Sequence, residues 1–381
     1  MNRRAMGLLR ILRKGAWLAP LCAALAACHG GDAGNAPLSP AALAAVVAQP
    51  GASRIALARA VDALFTTPGL GETRALLVYY RGRLVAERYA PPYDRRTRMQ
   101  GWSMSKCVTG ILIGLMVADG RLRLDQPAPV PLWQRPGDPR GAITLRELLQ
   151  MRSGLRHRET ADPVTDADTV RMLFLDGRDD MAAYAEAQPL TTTPGSAWRY
   201  STATTIVLAD IAARALTPST DPATRRRELS DFLRTRLFDP LGLKSAVAEY
   251  DAAGTMVGGS MIEANARDWG RIGELLRNQG AVRGAQVLPR GWVQFMTAPA
   301  PGNPGFGAQL WRNVPQPDGH AVLFPARGPA DLFACVGHLG QYILVAPAGQ
   351  MTLVRLGHSD EAERAALVEK LADIVALFPR H

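Results

Sequence analysis

Ser103 and Lys106 stand three residues apart in the run Gly101-Trp-Ser-Met-Ser-Lys-Cys-Val-Thr-Gly110. On a helix that spacing puts a hydroxyl and an amine on one face, within hydrogen-bond reach. It is the smallest arrangement that can make a serine nucleophilic without a histidine. The lysine is itself informative: of 44 Lys and Arg residues, only Lys14, Lys106, Lys244 and Lys370 are lysines. Arginine keeps its proton in proteins, whereas a desolvated lysine can release it and act as a base. The first turn of a helix also disfavours a cation, which lowers the lysine pKa further.

A Ser–Lys centre needs a proton relay, oxyanion donors and a second cleft wall. Tyr200 is the relay candidate. Pro194-Gly195-Ser-Ala-Trp-Arg-Tyr200-Ser201 reads as a turn entering a helix at about residue 204. A phenol there, beside an ammonium, can lose its proton below its usual pKa of about 10. The wall candidate is Gly337-His338-Leu339-Gly340-Gln341, at the turn of the clearest C-terminal strand. Its glycines let a substrate carbonyl lie against the strand edge. The backbone N–H groups of Ser103 and Gln341 could then hold an oxyanion, with Trp102, His338 and Gly340 against the substrate. The six histidines and four cysteines have no metal-ligand spacing, so no metal or cofactor is expected.

These residues need elements to hold them. Val108, Ile111, Leu112, Leu115 and Met116 repeat at helical spacing and would bury one face of a helix ending at Asp119-Gly120. Gly110 and Gly114 would let a neighbouring element approach closely. Helical periodicity recurs over 53–66, 145–151, 204–216, 229–237, 266–277 and 361–378. Strand alternation marks 74–80 and 83–89 around an Arg81-Gly82 hairpin turn, then 306–311, 332–336, 342–345 and 351–356. The expected class is α+β. An antiparallel sheet is built from both ends of the body, about 53–95 and 300–381, and flanked by helices, with a mainly helical insertion over about 96–299. Segment 156–190, acidic and loop-rich, is the expected cleft rim. Cys107 and Cys335 read as buried small apolar residues rather than a pair, because strand alternation would send Cys335 and His338 to opposite faces.

The N-terminus has the pattern of a targeting segment. Arg3, Arg4, Arg10, Arg13 and Lys14 precede an apolar stretch over 16–27 that is too short to span a bilayer. It ends in Leu25-Ala26-Ala27-Cys28, which resembles the bacterial lipoprotein processing box. That reading makes 1–27 a signal peptide, Cys28 the lipidated residue that attaches the protein to a membrane, 28–52 a flexible tether and 53–381 the functional domain. By resemblance to Gram-negative lipoproteins, His29 after Cys28 implies the outer membrane, facing the periplasm. The leader carries half of the net charge of +10. The rest is spread with no basic stripe, so no nucleic-acid partner is expected.

The body resembles the serine β-lactamase and penicillin-binding superfamily, whose motifs are Ser-x-x-Lys, Tyr-x-Asn and Lys-Thr-Gly. Within it, the nearest likeness is the class C-like esterase branch, which includes carboxylesterases and 6-aminohexanoate-dimer hydrolase. The supporting stretches are Gly101 to Lys106, Ile143-Thr-Leu-Arg-Glu-Leu-Leu149 with Ser153-Gly-Leu155, Phe238-Asp-Pro-Leu-Gly-Leu243, Arg267-Asp-Trp-Gly-Arg271 and Phe333-x-Cys-x-Gly-x-x-Gly-Gln341. The resemblance implies a β-lactamase/transpeptidase-like fold. Ser103 would be acylated, Lys106 would take or hold its proton, and Tyr200 would pass a proton to the leaving group and later activate water. The amides of Ser103 and Gln341 would hold the oxyanion. Two positions depart from the motifs: Thr202 stands for the Asn and His338 for the Lys of Lys-Thr-Gly. Both changes point to a small-molecule ester, or secondarily an amide, rather than a β-lactam. A β-lactamase or D-alanyl carboxypeptidase, and a catalytically silent binding lipoprotein, are the alternatives.

Overall fold

The computed structural model describes residues 37–379; the expectations for the leader and for Cys28 lie outside the described residues. Two helices, α1 (Pro40–Ala44) and α2 (Arg54–Thr66), precede a hairpin of β1 (Glu72–Tyr80) and β2 (Arg83–Tyr89). Arg81 and Gly82 both have positive φ, the geometry that two-residue hairpin turns favour. Strand β3 (Met99–Gln100) leads into α3 (Ser105–Ala118). The helical region follows, with α4 (Leu145–Leu149), α5 (Asp168–Phe174), α6 (Met181–Glu186), α7 (Thr202–Leu216), α8 (Pro222–Leu233) and a single turn, α9 (Asp239–Leu241). Short strands β4 (Val247–Ala248) and β5 (Ile262–Ala264) join β3 in a small sheet. Then come α10 (Ala266–Arg277), a hairpin of β6 (Ala281–Val282) and β7 (Ala285–Gln286), and α11 (Arg290–Thr297). The chain ends in β8 (Trp311–Arg312), β9 (Phe333–Gly337), β10 (Gln341–Ala346), β11 (Met351–His358) and α12 (Glu361–Ala376).

The main sheet is antiparallel, in the order β2-β1-β11-β10-β9-β8, so strands from both ends of the body interleave as expected. Alternation divides its side chains between two cores. Ala75, Leu77, Ile343, Val354 and Leu356 face α3 and α10, whereas Leu76, Val78, Leu344 and Leu353 face α2 and α12. The domain begins earlier than residue 53. Over the described part of the expected tether, Ser39 caps α1, Val46 bridges to Ala86 of the edge strand β2, and Arg54 donates to the carbonyls of Leu43 and Val46. Ala42 and Val46 are buried, and they cover a sheet edge that would otherwise be open.

The helix that follows Ser103 is buried, as expected. Every residue of α3 from Ser105 to Met116 is buried, so the burial extends beyond the one face marked by Val108, Ile111, Leu112, Leu115 and Met116 to the whole helix. Its polar groups are matched: Ser105 Oγ accepts from Ile262 N–H and Thr109 Oγ1 donates to the Gly258 carbonyl. Gly114 has the expected role, since a Cβ there would lie 2.2 Å from Trp292 Nε1, which donates to the Gly110 carbonyl of the same helix.

Cys107 of α3 and Cys335 of β9 form a disulfide, with Cα atoms 6.0 Å apart, which corrects the expectation of two free cysteines. The alternation argument failed because β9 ends at Gly337; His338 belongs to a turn and does not continue the strand. The strand expected over 306–311 shrinks to Trp311–Arg312. Gln309 has φ of +65°, and its buried amide accepts from Thr205 Oγ1 and donates to the Leu149 carbonyl, holding a turn in place of a ladder.

Candidate active site

Ser103 sits in a short 3-10 turn, Trp102–Met104, that feeds directly into α3. Trp102 has φ of +49°, a strained conformation for a bulky residue of the kind that clusters at functional sites. Its ring meets His338 edge-on at 5.5 Å. One turn on, the Lys106 amine is buried and lies 2.9 Å from Ser103 Oγ, 2.9 Å from Thr202 Oγ1 and 2.8 Å from the Gly259 carbonyl oxygen. Burial pulls its pKa down to about 8, against an upward pull from Glu159.

Glu159 was not singled out in the sequence. Its carboxylate accepts from Thr202 Oγ1 at 2.5 Å, from Thr202 N–H at 2.8 Å and from His157 Nε2 at 2.8 Å. Burial alone would raise its pKa, but the His157 hydrogen bond, the charge of Lys106 and the Thr202 hydroxyl outweigh it and hold the carboxyl at about 2. Glu159 is therefore ionised at any working pH. Its position at the first turn of α7 also suits a negative charge.

That ionisation fixes the direction of the hydrogen bonds. An ionised carboxylate only accepts, so the Thr202 hydroxyl proton points to Glu159 and its oxygen accepts from Lys106. The Gly259 carbonyl also only accepts. Two N–H bonds of Lys106 are thereby committed. A neutral amine then has its lone pair left for the third neighbour, the Ser103 hydroxyl. The site fits a neutral lysine poised to take the serine proton.

Tyr200 arrives from the turn before α7, its ring stacked on Trp311 at 5.5 Å and 5.0 Å from Lys106 Nζ. Its phenol does not become more acidic, as the sequence suggested. Burial and then the Glu159 charge raise its pKa, with the Ser103 hydroxyl pulling weakly the other way. Burial decides the direction, and the carboxylate, invisible in the local sequence, adds to it. Lys106 and Tyr200 are pushed in opposite directions, one toward a base and the other toward a retained acid.

The opposite wall is formed by Val336, Gly337 and His338. Gln341 and Gly340 are not part of it. Gln341 opens β10 opposite Gly337, and its buried side chain donates to the carbonyls of His338, Leu339 and Gly357. Gly340 has φ of +79°, and its carbonyl accepts from the buried Arg355. Both residues shape the turn from behind. His338 faces the cleft with its pKa lowered, first by burial and then by Arg364 and His358, so the ring is neutral at neutral pH.

The cleft over Ser103 measures about 540 Å³. Its floor carries Trp102, Ser103, Glu159, Tyr200 and Thr202, and Arg364 stands at the rim. The rim segment expected over 156–190 does line it; beside Glu159, Thr160 and Thr169 it presents the apolar side chains of Val164, Val170, Leu173 and Phe174. Val164 and Phe174 remain 63% and 45% exposed. Trp311 and Gly259 complete the surroundings; the Gly258-Gly259-Ser260 run was the sequence signal for a backbone that must come close to α3 and α7. No group of three or more His, Cys, Asp or Glu residues suited to a metal occurs among the described residues.

Comparison with known proteins bears on the fold and the family. A 6-aminohexanoate-dimer hydrolase from Paenarthrobacter ureafaciens is 26% identical over 233 residues, which is 59% of this chain and 57% of that protein. The fold is shared with EstCE1, a hydrolase with promiscuous acyltransferase activity, at a TM-score of 0.63 and 18% identity over 84% of this chain and 98% of the other. It is also shared with a family VIII carboxylesterase, at a TM-score of 0.63 and 15% identity over 86% and 98%. The family model for Beta-lactamase matches residues 57–377, nearly the whole described body, and the chain belongs to that family.

Proposed function

We propose that this protein is a serine hydrolase that cleaves a small ester, or secondarily an amide, through an acyl-enzyme on Ser103. The observation that carries this reading is the Lys106 amine, buried, with two N–H bonds committed and its third direction aimed at Ser103 Oγ 2.9 Å away. Lys106 takes the serine proton as Oγ attacks the carbonyl carbon. The amides of Ser103 and His338 receive the oxyanion, replacing the Ser103–Gln341 pair inferred from the sequence. Tyr200, which keeps its proton, protonates the leaving oxygen or nitrogen. The resulting phenolate recovers a proton from Lys106, and the two groups share the removal of a proton from the hydrolytic water.

The apolar rim of Val164, Val170, Leu173 and Phe174 suits a substrate with an apolar acyl or alcohol group. A β-lactam carboxylate is poorly served, because Glu159 puts a negative charge on the cleft floor and His338 is neutral. A fluorophosphonate probe is expected to label the protein once, on the peptide containing Ser103, with protection by short nitrophenyl esters. Labelling elsewhere, or none in protein that turns over esters, would remove Ser103 from the nucleophile role.

We further propose attachment to the outer membrane through lipid on Cys28. The Cys107–Cys335 disulfide supports an oxidising compartment such as the periplasm. Cells fed labelled palmitate should incorporate it into the wild type and not into Cys28→Ala; equal incorporation would exclude the anchor.

A further inference from the structure

We infer that Glu159, acting through the Thr202 hydroxyl, is the positioning residue that makes Lys106 a base toward Ser103 and holds the countercharge for the ammonium that forms. The inference rests on the serine-hydrolase reading and extends it by two residues. The chain is continuous: Ser103 Oγ to Lys106 Nζ is 2.9 Å, Lys106 Nζ to Thr202 Oγ1 is 2.9 Å, and Thr202 Oγ1 to Glu159 Oε1 is 2.5 Å. Glu159 is itself held by His157, a buried residue whose Nε2 also reaches Thr169 Oγ1.

The step balances without moving a proton onto Glu159. As the Ser103 Oγ–carbon bond forms, the carbonyl π pair moves to its oxygen and the hydroxyl proton passes to Lys106. The new ammonium still donates to Thr202 and Gly259, and Thr202 still donates to the carboxylate. The positive charge thus develops one hydroxyl away from a fixed negative one, in a site that excludes most water. Without that charge, the Thr202 hydroxyl is free to turn its proton toward Lys106 and occupy the lone pair intended for Ser103.

The groups facing Lys106 are Ser103 on the preceding turn, Tyr200 and Thr202 at the start of α7, Glu159 and, behind it, His157. His338, in the turn after β9, and Arg364, on α12, face the same cleft. Of these only Glu159 raises the lysine pKa. Glu159→Gln should therefore leave two marks on nitrophenyl ester hydrolysis. The acidic limb of kcat/KM should move down by about one pH unit, as expected for losing one nearby opposite charge. Its plateau should fall by about 10²-fold, a loss typical of a weakened proton-transfer group. Thr202→Val, which keeps the shape and cuts the chain but leaves the carboxylate charge in place, should lower the plateau without moving the limb, whereas Thr202→Ser should restore wild-type behaviour and Glu159→Asp should recover part of the plateau. A variant that only perturbs packing lowers the plateau and leaves the limb in place. An unmoved limb in Glu159→Gln, with far-UV circular dichroism and fluorophosphonate labelling intact, overturns the inference, as does wild-type behaviour of Thr202→Val. Wild-type enzyme that fails to label on Ser103 overturns the hydrolase reading instead, so the two failures are distinct.

Discussion

Replacing Lys106 with Met is expected to lower kcat on a nitrophenyl ester by about 10³- to 10⁴-fold while the protein stays folded, because it removes the group proposed as the base that activates Ser103. The loss should fall on kcat more than on KM, since the amine lies beneath Ser103 and takes part mainly as charge develops. Lys106→Arg should be no better. A guanidinium keeps its proton and is too large for the space bounded by Ser103, Thr202 and the Gly259 carbonyl. Stability should change little in the Met variant, because burying an amine is costly and its removal offsets the hydrogen bonds lost. The wild type supplies an internal control. With Lys106 at about 8, the working neutral form is about a tenth of the total at pH 7 and most of it above pH 9. Activity should therefore rise with pH and level off above that pKa. A Met variant keeping more than about a tenth of wild-type kcat would mean that another group activates Ser103.

Much of the scaffold was legible because it follows local rules. The α10 boundaries, Ala266–Arg277, and the β2 boundaries, Arg83–Tyr89, coincide with the patterns read from sequence. The pair Ser103 and Lys106 could be found because both members lie on one turn. Glu159 could not: its partners are Thr202, 43 residues away, and through it Lys106, a further 96 residues from Thr202 along the chain. Its immediate neighbours, Arg156, His157, Arg158 and Thr160, suggest only a solvated polar loop. The reversal at Tyr200 has a similar origin: local sequence offered an ammonium, whereas the fold buried the phenol and set a carboxylate near it. Gln341 does not line the cleft, for a different reason. The motif order was right, but the turn between β9 and β10 puts His338 toward the cleft and folds Gln341 back under the hairpin, tied to Gly357 of β11. Gln309 shows a third limit. An alternating run of Phe306, Ala308 and Leu310 reads as a strand, but a buried amide can satisfy backbone and side-chain partners in a turn equally well.

The disulfide couples stability to the site. Cys107 directly follows Lys106, and Cys335 lies three residues before His338, so the bond fastens the helix that carries Lys106 to the strand that leads into the opposite cleft wall. It closes a loop of 228 residues, which contains nearly all of the helical region and every site residue between the two walls. Constraining so long a loop in the unfolded chain is worth at most about 5 kcal/mol, and removal of such bonds costs about 2–5 kcal/mol in practice. The double variant Cys107→Ala/Cys335→Ala should therefore unfold at markedly lower urea concentration than the wild type under non-reducing conditions. Alanine avoids leaving a hydroxyl in a core where both sulfurs are almost fully buried. Wild type unfolded in the presence of a strong reductant should converge on the variant. Well below the unfolding transition, the variant should keep most of its esterase activity. Lys106 is still held by Thr202 and Gly259, and the His338 turn by Gln341 and Arg355, none of which depends on the sulfur bond. Equal urea midpoints for oxidised and reduced wild type would show that the cross-link contributes nothing to the folded state. A variant that stays folded yet loses activity would mean that the bond, and not the hydrogen bonds around it, sets the spacing between the two walls.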